Sequence, residues 1–281
     1  MKLRTFAAAI VLGVLAAGSL AAGYNMKGNK AIDAALTGEW RTPEAKARDA
    51  QRHPLDALVF WGLKPGMTIL ELQPGGGWWT EILAPFARTT KGEFYATASD
   101  AADPGMSENA RKARADFEAK YADTATYGKV NLVNWGPNAA PLPANKFDFV
   151  LAARVYHGWA NGGRVDVNLA NIYNSLKPGG ILALEQHRAN PSQEPPVKQG
   201  YATEQTVIDA AIKAGFELAA RSEINANPKD TKDHPFGVWT LPPTRQSSEN
   251  GKPVDPSFDR AKYDAIGESD RMTLRFVKPK K

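Results

Sequence analysis

Glu71, Gln73 and the run Gly75-Gly76-Gly77 follow directly on the apolar stretch Met67-Thr68-Ile69-Leu70 and lead into a segment of helical character. An acid and a glycine turn between a strand and a helix is how an open α/β sheet builds a nucleotide site at the carboxyl end of a strand. A nicotinamide dinucleotide needs G-x-G-x-x-G there, with its pyrophosphate on the helix N-terminus. Thr80 stands where the third glycine is required, and Trp78 and Trp79 crowd the turn, so a dinucleotide is disfavoured. A sulfonium cofactor such as S-adenosylmethionine (SAM) has no phosphate. It needs close backbone approach and a nearby acid, which Glu71 and the glycines supply.

Two further stretches carry groups suited to proton transfer. Arg154-Val155-Tyr156-His157-Gly158-Trp159 and Glu185-Gln186-His187-Arg188 each follow an apolar run. Imidazole titrates near neutrality, so His157 is the first candidate for a general base and His187 the second. Tyr156 either orients substrate or packs. The four histidines are His53, His157, His187 and His234, with Asp230 and Asp233 near the last. No two histidines stand four apart, so scattered surface histidines are favoured and no metal site is assigned.

The elements that must hold these residues read as an α/β, Rossmann-like, seven-stranded and mostly parallel sheet with helices on both faces. Residues 1–22 form a signal peptide, 23–66 an N-terminal helical arm, and 67–281 the α/β domain. In the arm, Asn29–Leu36 reads as one helix. A second is capped by Thr42, with Pro43 at its first position, and runs through Arg48, Asp49 and Arg52 as a solvated face. Strands are expected near 67–70, 92–98, 129–135, 147–153, 181–185, 216–224 and 271–277, the last two as a hairpin-like pair. Ala110, Ala113, Phe117 and Tyr121 share one face of a helix over 107–122. Residues 225–268, rich in Pro, Asn and Asp, form a long insertion expected to cover the site.

Ile69-Leu70-Glu71-Leu72-Gln73-Pro74-Gly75-Gly76-Gly77 resembles the first motif of class I SAM-dependent methyltransferases, acid-x-Gly-x-Gly-x-Gly. Phe147–Leu151 resembles their fourth strand, and Leu176–Gly180 the turn into their fifth. The mature chain also resembles exported bacterial proteins described as predicted methyltransferases, through Ser222–Asp230 and Ile266–Arg271. The resemblance implies SAM as cofactor, with Glu71, Gln73, Gly75, Gly76, Gly77, Asp100, Asn138 and Arg154 as cofactor-binding residues. Two positions depart from the pattern. Gln73 replaces the first motif glycine, and the ribose-binding acid falls on Ala98, leaving Asp100 as its substitute. Asn138 stands near the position that meets the adenine amino group.

Composition narrows the function. The 281 residues include no Cys, which excludes disulfides and thiolate metal sites. Net charge is +5, with no basic stripe interleaved with aromatics, so nucleic acid is not an expected partner. No Asn-Pro-Pro-Tyr follows the fourth strand, which argues against methylation of a base amine in DNA. The N-terminus carries Lys2 and Arg4, then a short apolar run and small residues up to Ala22, the pattern of an export signal. The expected location is periplasmic or secreted, with no stable membrane span after cleavage. Two readings remain: a SAM-dependent methyltransferase acting on a small-molecule or exported acceptor, and a non-catalytic exported binding protein of the same fold.

Overall fold

The computed structural model describes residues 26–191, 197–249 and 251–280. The proposed signal peptide lies outside them. None of the described helices is long and apolar enough to cross a membrane.

The arm comes first: α1 (Met26–Thr37), α2 (Pro43–Ala47), α3 (Asp49–Arg52) and α4 (Pro54–Trp61). The Thr42 hydroxyl accepts from Ala45 N, and Pro43 opens α2. The helix expected from Pro43 through Arg52 is broken once inside its span, at Arg48, and again at its expected end, His53, whose φ of 41° is left-handed. Pro54 explains the second break, because the residue before a proline is pushed out of the helical region. Those breaks turn Arg48 and Arg52 inward. Arg52 is buried, so the solvated face expected of this segment is not found.

Strands and helices then alternate: β1 (Thr68–Glu71), α5 (Thr80–Thr89), β2 (Glu93–Ala98), α6 (Glu108–Lys120), α7 (Thr124–Tyr127), β3 (Val130–Asn134) and β4 (Phe147–Ala153). After them come α8 (Tyr156–Asn161), α9 (Val165–Ser175), β5 (Leu176–His187), α10 (Glu204–Lys213) and β6 (Glu217–Ser222). The chain closes with α11 (Arg260–Asp264) and β7 (Arg271–Val277). The sheet order is β3-β2-β1-β4-β5-β7-β6. All pairs are parallel except those of β7, which runs antiparallel between β5 and β6. Chain order reverses between β1 and β4, and ligands of open α/β sheets bind at the carboxyl ends of strands flanking such a switch.

One hydrophobic cluster joins α1, α4 and α5 to one sheet face, with Trp61, Ile82, Phe86 and Phe149 at its centre. A second joins α9 and α10 to the other through Leu169, Ile172, Val207 and Phe276. β5 begins five residues earlier than its apolar run, because Gly179 N donates to Lys278 O and Lys278 N donates to Gly180 O. The C-terminal end is thereby stitched to the turn before the strand. α6 contributes no buried residue within its span. Its apolar face lines a cavity, and Phe117 also packs against the first core cluster.

The stretch between β6 and β7 has little regular structure but is tied down firmly. Buried Asp230 accepts from the Tyr201 hydroxyl at 3.1 Å, His234 Nε2 at 2.8 Å and Asp270 N at 2.8 Å. His234 is thus an interior residue, not a surface one.

Candidate functional site

Two cavities open at the carboxyl edge of the sheet and meet at Gln73, Pro74 and Gly75, which line both. One, about 580 Å³, lies over the ends of β1, β2 and β3 beside α6. The other, about 550 Å³, lies between β1, β4 and β5 under the arm and the insertion.

The turn after β1 decides what can approach. Gly75 has φ 56°, and a Cβ added there or at Gly76 would meet nothing within 4 Å. Open space above a left-handed glycine is what a closely approaching ligand needs. Gly77 differs: a Cβ there would overlap the Tyr121 hydroxyl, which donates to Gly77 O at 2.9 Å. Gly77 lines neither cavity; its φ of 80° and its closeness to Tyr121 both require glycine there. Gln73 adopts φ 48°, as a glycine would, and its backbone N donates to the Thr97 hydroxyl at 2.7 Å. Its side-chain oxygen accepts from Trp159 Nε1 at 2.7 Å. This side chain therefore reaches toward an indole of the first cavity. Thr97 and Trp159 were not among the residues singled out by motif. Thr97 is detectable only as a polar residue in an otherwise apolar strand.

Asp100 stands in the first cavity past β2. It accepts from Asn134 Nδ2 at 2.8 Å and from Ala102 N at 3.0 Å. One of its oxygens carries both bonds, which leaves the other for a ribose hydroxyl. Asn138 is exposed on the rim, with a long 3.4 Å contact to Asp103. Ala113, Phe117 and Met106 give one apolar wall, and Trp135 and Trp159 an aromatic one. Open glycines, a free carboxylate oxygen and a flat apolar slot suit an adenosine.

Glu71 lines the second cavity, is buried, and accepts from the Thr80 hydroxyl at 2.6 Å. Burial pushes its carboxyl up to about 8, against the opposing effects of the Thr80 bond and Arg154. An arriving ammonium or sulfonium would give that carboxyl a reason to ionise. Trp78 and Trp79 are both buried and both line this cavity; Trp79 packs edge-on against Trp61 at 5.7 Å.

His157 and His187 share the far wall, with ring centroids 5.7 Å apart. His157 Nδ1 faces the Gln186 amide at 3.3–3.4 Å, and Trp239 of the insertion lies 5.9 Å from its ring. His187 Nδ1 bonds the Ser269 hydroxyl at 2.5 Å. Burial lowers the basicity of both imidazoles, and the Arg154 guanidinium lowers it further. Both are neutral at pH 7 and able to accept a proton. Tyr156 is not with them. It is buried, its hydroxyl directed at Thr206 O at 3.5 Å, and it lines neither cavity. The substrate-orienting role is corrected to packing.

Beneath the histidines lies a network that the sequence did not suggest. Glu268 accepts from Arg52 Nε at 2.8 and 2.9 Å, from Arg48 Nε at 3.1 Å and from Arg271 Nη1. Arg154 reaches within 4.0 Å of it. Burial alone would raise the Glu268 carboxyl, but Arg52, Arg271 and Arg154 overcome it and hold it near 2. Burial and the neighbouring Arg154 push Arg52 the other way, down to about 9. The two senses agree physically: several guanidiniums crowd one carboxylate, so the acid gains more than each base. Among the described residues no group of three or more His, Cys, Asp or Glu side chains is placed to hold a metal ion.

Residues 70–184, from β1 to β5, match the family model described as a methyltransferase domain. A ubiquinone/menaquinone biosynthesis C-methyltransferase UbiE of Shewanella pealeana is 32% identical over 125 residues, 44% of each chain. The homologue from Shewanella halifaxensis gives the same figures. The chain thus spans less than half the length of the curated relatives it matches. Among solved structures, a SAM-dependent methyltransferase from Aquifex aeolicus superposes with a TM-score of 0.51 at 18% identity, covering 89% of this chain and 98% of that one. The [4+2]-cyclase SpnF gives 0.55 at 16% identity, over 87% and 86%. Such distant likenesses establish the fold, and the cyclase is a reminder that one fold hosts more than one chemistry. Residues 70–184 are thus similar to a methyltransferase domain and share the α/β fold of a solved SAM-dependent methyltransferase, set between an arm and a C-terminal cover that the match does not reach.

Proposed function

We propose that this protein is an exported enzyme that moves a methyl group from SAM to a small molecule held in the cavity under the arm. The observation that carries the reading is the meeting of the two cavities at Gly75, one fitted to an adenosine and the other walled by two neutral histidines. When bound, SAM supplies an electrophilic methyl on a sulfonium. The chain's own part is to orient and to move a proton. Asp100 and the apolar face of α6 hold the nucleoside, Glu71 faces the charged methionine end, and His157 takes a proton from the acceptor as its nucleophilic atom attacks. His187, tethered to Ser269, is placed to replace or assist it. Export is supported by the charged, apolar and then small-residue order of residues 1–22. The relatives named as C-methyltransferases match over only 125 residues, 44% of each chain, so they support the reaction class rather than a quinone acceptor.

One feature favours a second reading, a binding protein without turnover. Gln73 fills a glycine position and is bonded to Trp159 where the cavities join. Calorimetry with SAM and S-adenosylhomocysteine, followed by transfer of labelled methyl to extracts of small molecules, separates the readings. Saturable binding with transfer supports the enzyme. Binding without transfer to any acceptor supports the second reading, and absence of binding sinks the first.

A further inference from the structure

We propose that Arg52, with Arg154 and Arg48, forms a carboxylate receptor in the cavity under the arm, so that a ligand of this cavity is an organic acid. The receptor stands on the geometry below. Only the identity of the ligand that brings the carboxylate rests on the methyltransferase reading.

Arg52 is 1% exposed on the cavity wall. Its Nε is spent on Glu268, but both terminal nitrogens, Nη1 and Nη2, are buried with no hydrogen-bond partner among the described residues. The guanidinium lies 4.6 Å over the Trp78 ring. The indole partly compensates the charge through its face, yet it cannot serve the in-plane N–H groups. Arg154 repeats the pattern: its Nε is buried without a partner. Its backbone is held left-handed at φ 61° by the bond from its N to Glu185 O at 2.6 Å, which fixes where the side chain starts. Buried donors on charged groups are rarely left unpaired, because each then bears the full penalty of desolvation.

The local charge does not balance either. Among the described residues, Arg48, Arg52, Arg154 and Arg271 meet two carboxylates, Glu185 and Glu268. The other acids on this wall do not offset them. Glu44 is exposed at the rim, Glu81 is matched by Lys120 at 2.8 Å, and burial keeps Glu71 protonated. A planar anion accepting two parallel N–H bonds is the partner that a guanidinium edge fits best. Two ligands could bring it: the cofactor, through its methionine carboxylate, or the acceptor.

The test is calorimetry on the purified protein with SAM, decarboxylated SAM, and benzoate added in the presence of S-adenosylhomocysteine. If the cofactor brings the carboxylate, SAM binds at least tenfold tighter than its decarboxylated form, and Arg52→Gln removes the difference. If the acceptor brings it, the two forms bind alike, benzoate binds saturably, and Arg52→Gln or Arg154→Gln weakens benzoate at least tenfold. Equal binding of the two cofactor forms with no saturable benzoate binding overturns the proposal. So does carboxylate-dependent binding that survives both substitutions. Should Arg52→Gln not fold, the wild-type comparison and Arg154→Gln carry the test. Benzoate binding without binding of any adenosine ligand supports the receptor and removes the methyltransferase reading.

Discussion

The two cavities, which we propose as the donor half and the acceptor half of the site, are built by different means. The donor half uses strand ends and one turn: Gly75 and Gly76 keep space open, Thr97 pins Gln73, and Asp100 follows β2. Its parts are short-range, and most fall inside the matched stretch 70–184. The acceptor half is closed by segments from opposite ends of the chain. Arg52 and Glu268 are 216 residues apart, Gln51 and Glu268 217, and the Trp61 indole donates to Leu274 O across 213. Arm and cover both lie outside the matched stretch. In the proposed reading, a backbone device inside the matched stretch binds the donor, while long-range side-chain pairs outside it shape the space for the acceptor.

The sharpest way to separate the halves is His157→Ala. Loss of a general base lowers turnover by roughly 10²–10⁴-fold, while S-adenosylhomocysteine affinity stays within about twofold if donor binding is independent. Burial first, then Arg154, holds the His157 imidazole below its ordinary value of about 6.5, and the Gln186 bond works against them. The neutral form is the base, so turnover is level through pH 7 and falls only on the acid side of 6.5. Undiminished transfer in both His157→Ala and His187→Ala would remove the histidines from the chemistry.

Glu268→Ala attacks the other half. It strands Arg52 as a buried cation without its carboxylate and leaves Arg271 with Glu185 alone, for which about 3–5 kcal/mol of lost stability is expected. Urea unfolding measures it. The pH dependence has a definite sign. The folded carboxyl sits near 2 and the unfolded one near 4.5, so its stabilisation is present above 4.5 and is lost as pH falls toward 2. A variant as stable as the parent would mean that arm and cover are held by apolar packing instead.

Two glycine substitutions make the contrast within the turn itself. Gly77→Ala must displace Tyr121 and is expected to cost about 1–3 kcal/mol in stability. Gly75→Ala meets no neighbour, so it costs only the left-handed backbone term of roughly 1–2 kcal/mol while filling the space a cofactor needs. The ratio of stability loss to SAM affinity loss, by thermal unfolding and calorimetry, should therefore reverse between them.

The same division explains what the sequence could and could not reveal. Strand positions, sheet class and the glycine turn are written in local periodicity and spacing, and β4 and β7 fall on their expected residues. His157 and His187 are legible because both follow strands that the sheet brings side by side. The Arg52–Glu268 network is not, because nothing near Arg52 in sequence distinguishes it from a solvated helix face; burial comes from a partner at the far end of the chain. Tyr156 misleads for the opposite reason. It neighbours His157 in sequence, but the first turn of α8 sends its ring into the second core cluster. Gly77 fits a binding motif by spacing, while its left-handed φ of 80° and the adjoining Tyr121 are local reasons for glycine that the motif does not reveal.

Glu71→Gln tests whether the donor half recognises charge. The folded carboxyl is raised to about 8 from 4.5, so the folded state holds the proton more tightly than the unfolded one. The resulting stability is complete below 4.5 and is lost as pH rises through 8. The amide mimics the protonated acid, so the variant's stability should be flat across that window, while its affinity for SAM drops. Affinity equal to wild type would show that Glu71 serves only the turn.

The smallest effect is expected from Gln73→Gly, which restores the motif glycine. A left-handed non-glycine residue costs roughly 1–2 kcal/mol, so glycine relieves strain. It also loses the bond from Trp159, whose net value is about 1 kcal/mol. The two terms nearly cancel, and stability should shift by less than about 1 kcal/mol. What changes is the boundary between the cavities. Without the side chain that reaches Trp159, the indole is released and the two spaces join more widely. If Gln73 screens the donor slot, the variant binds SAM more tightly and faster, read by stopped-flow tryptophan fluorescence. If Gln73 instead contributes contacts to the methionine end, affinity falls although stability holds, and the departure from the glycine motif is then part of how this chain recognises its donor.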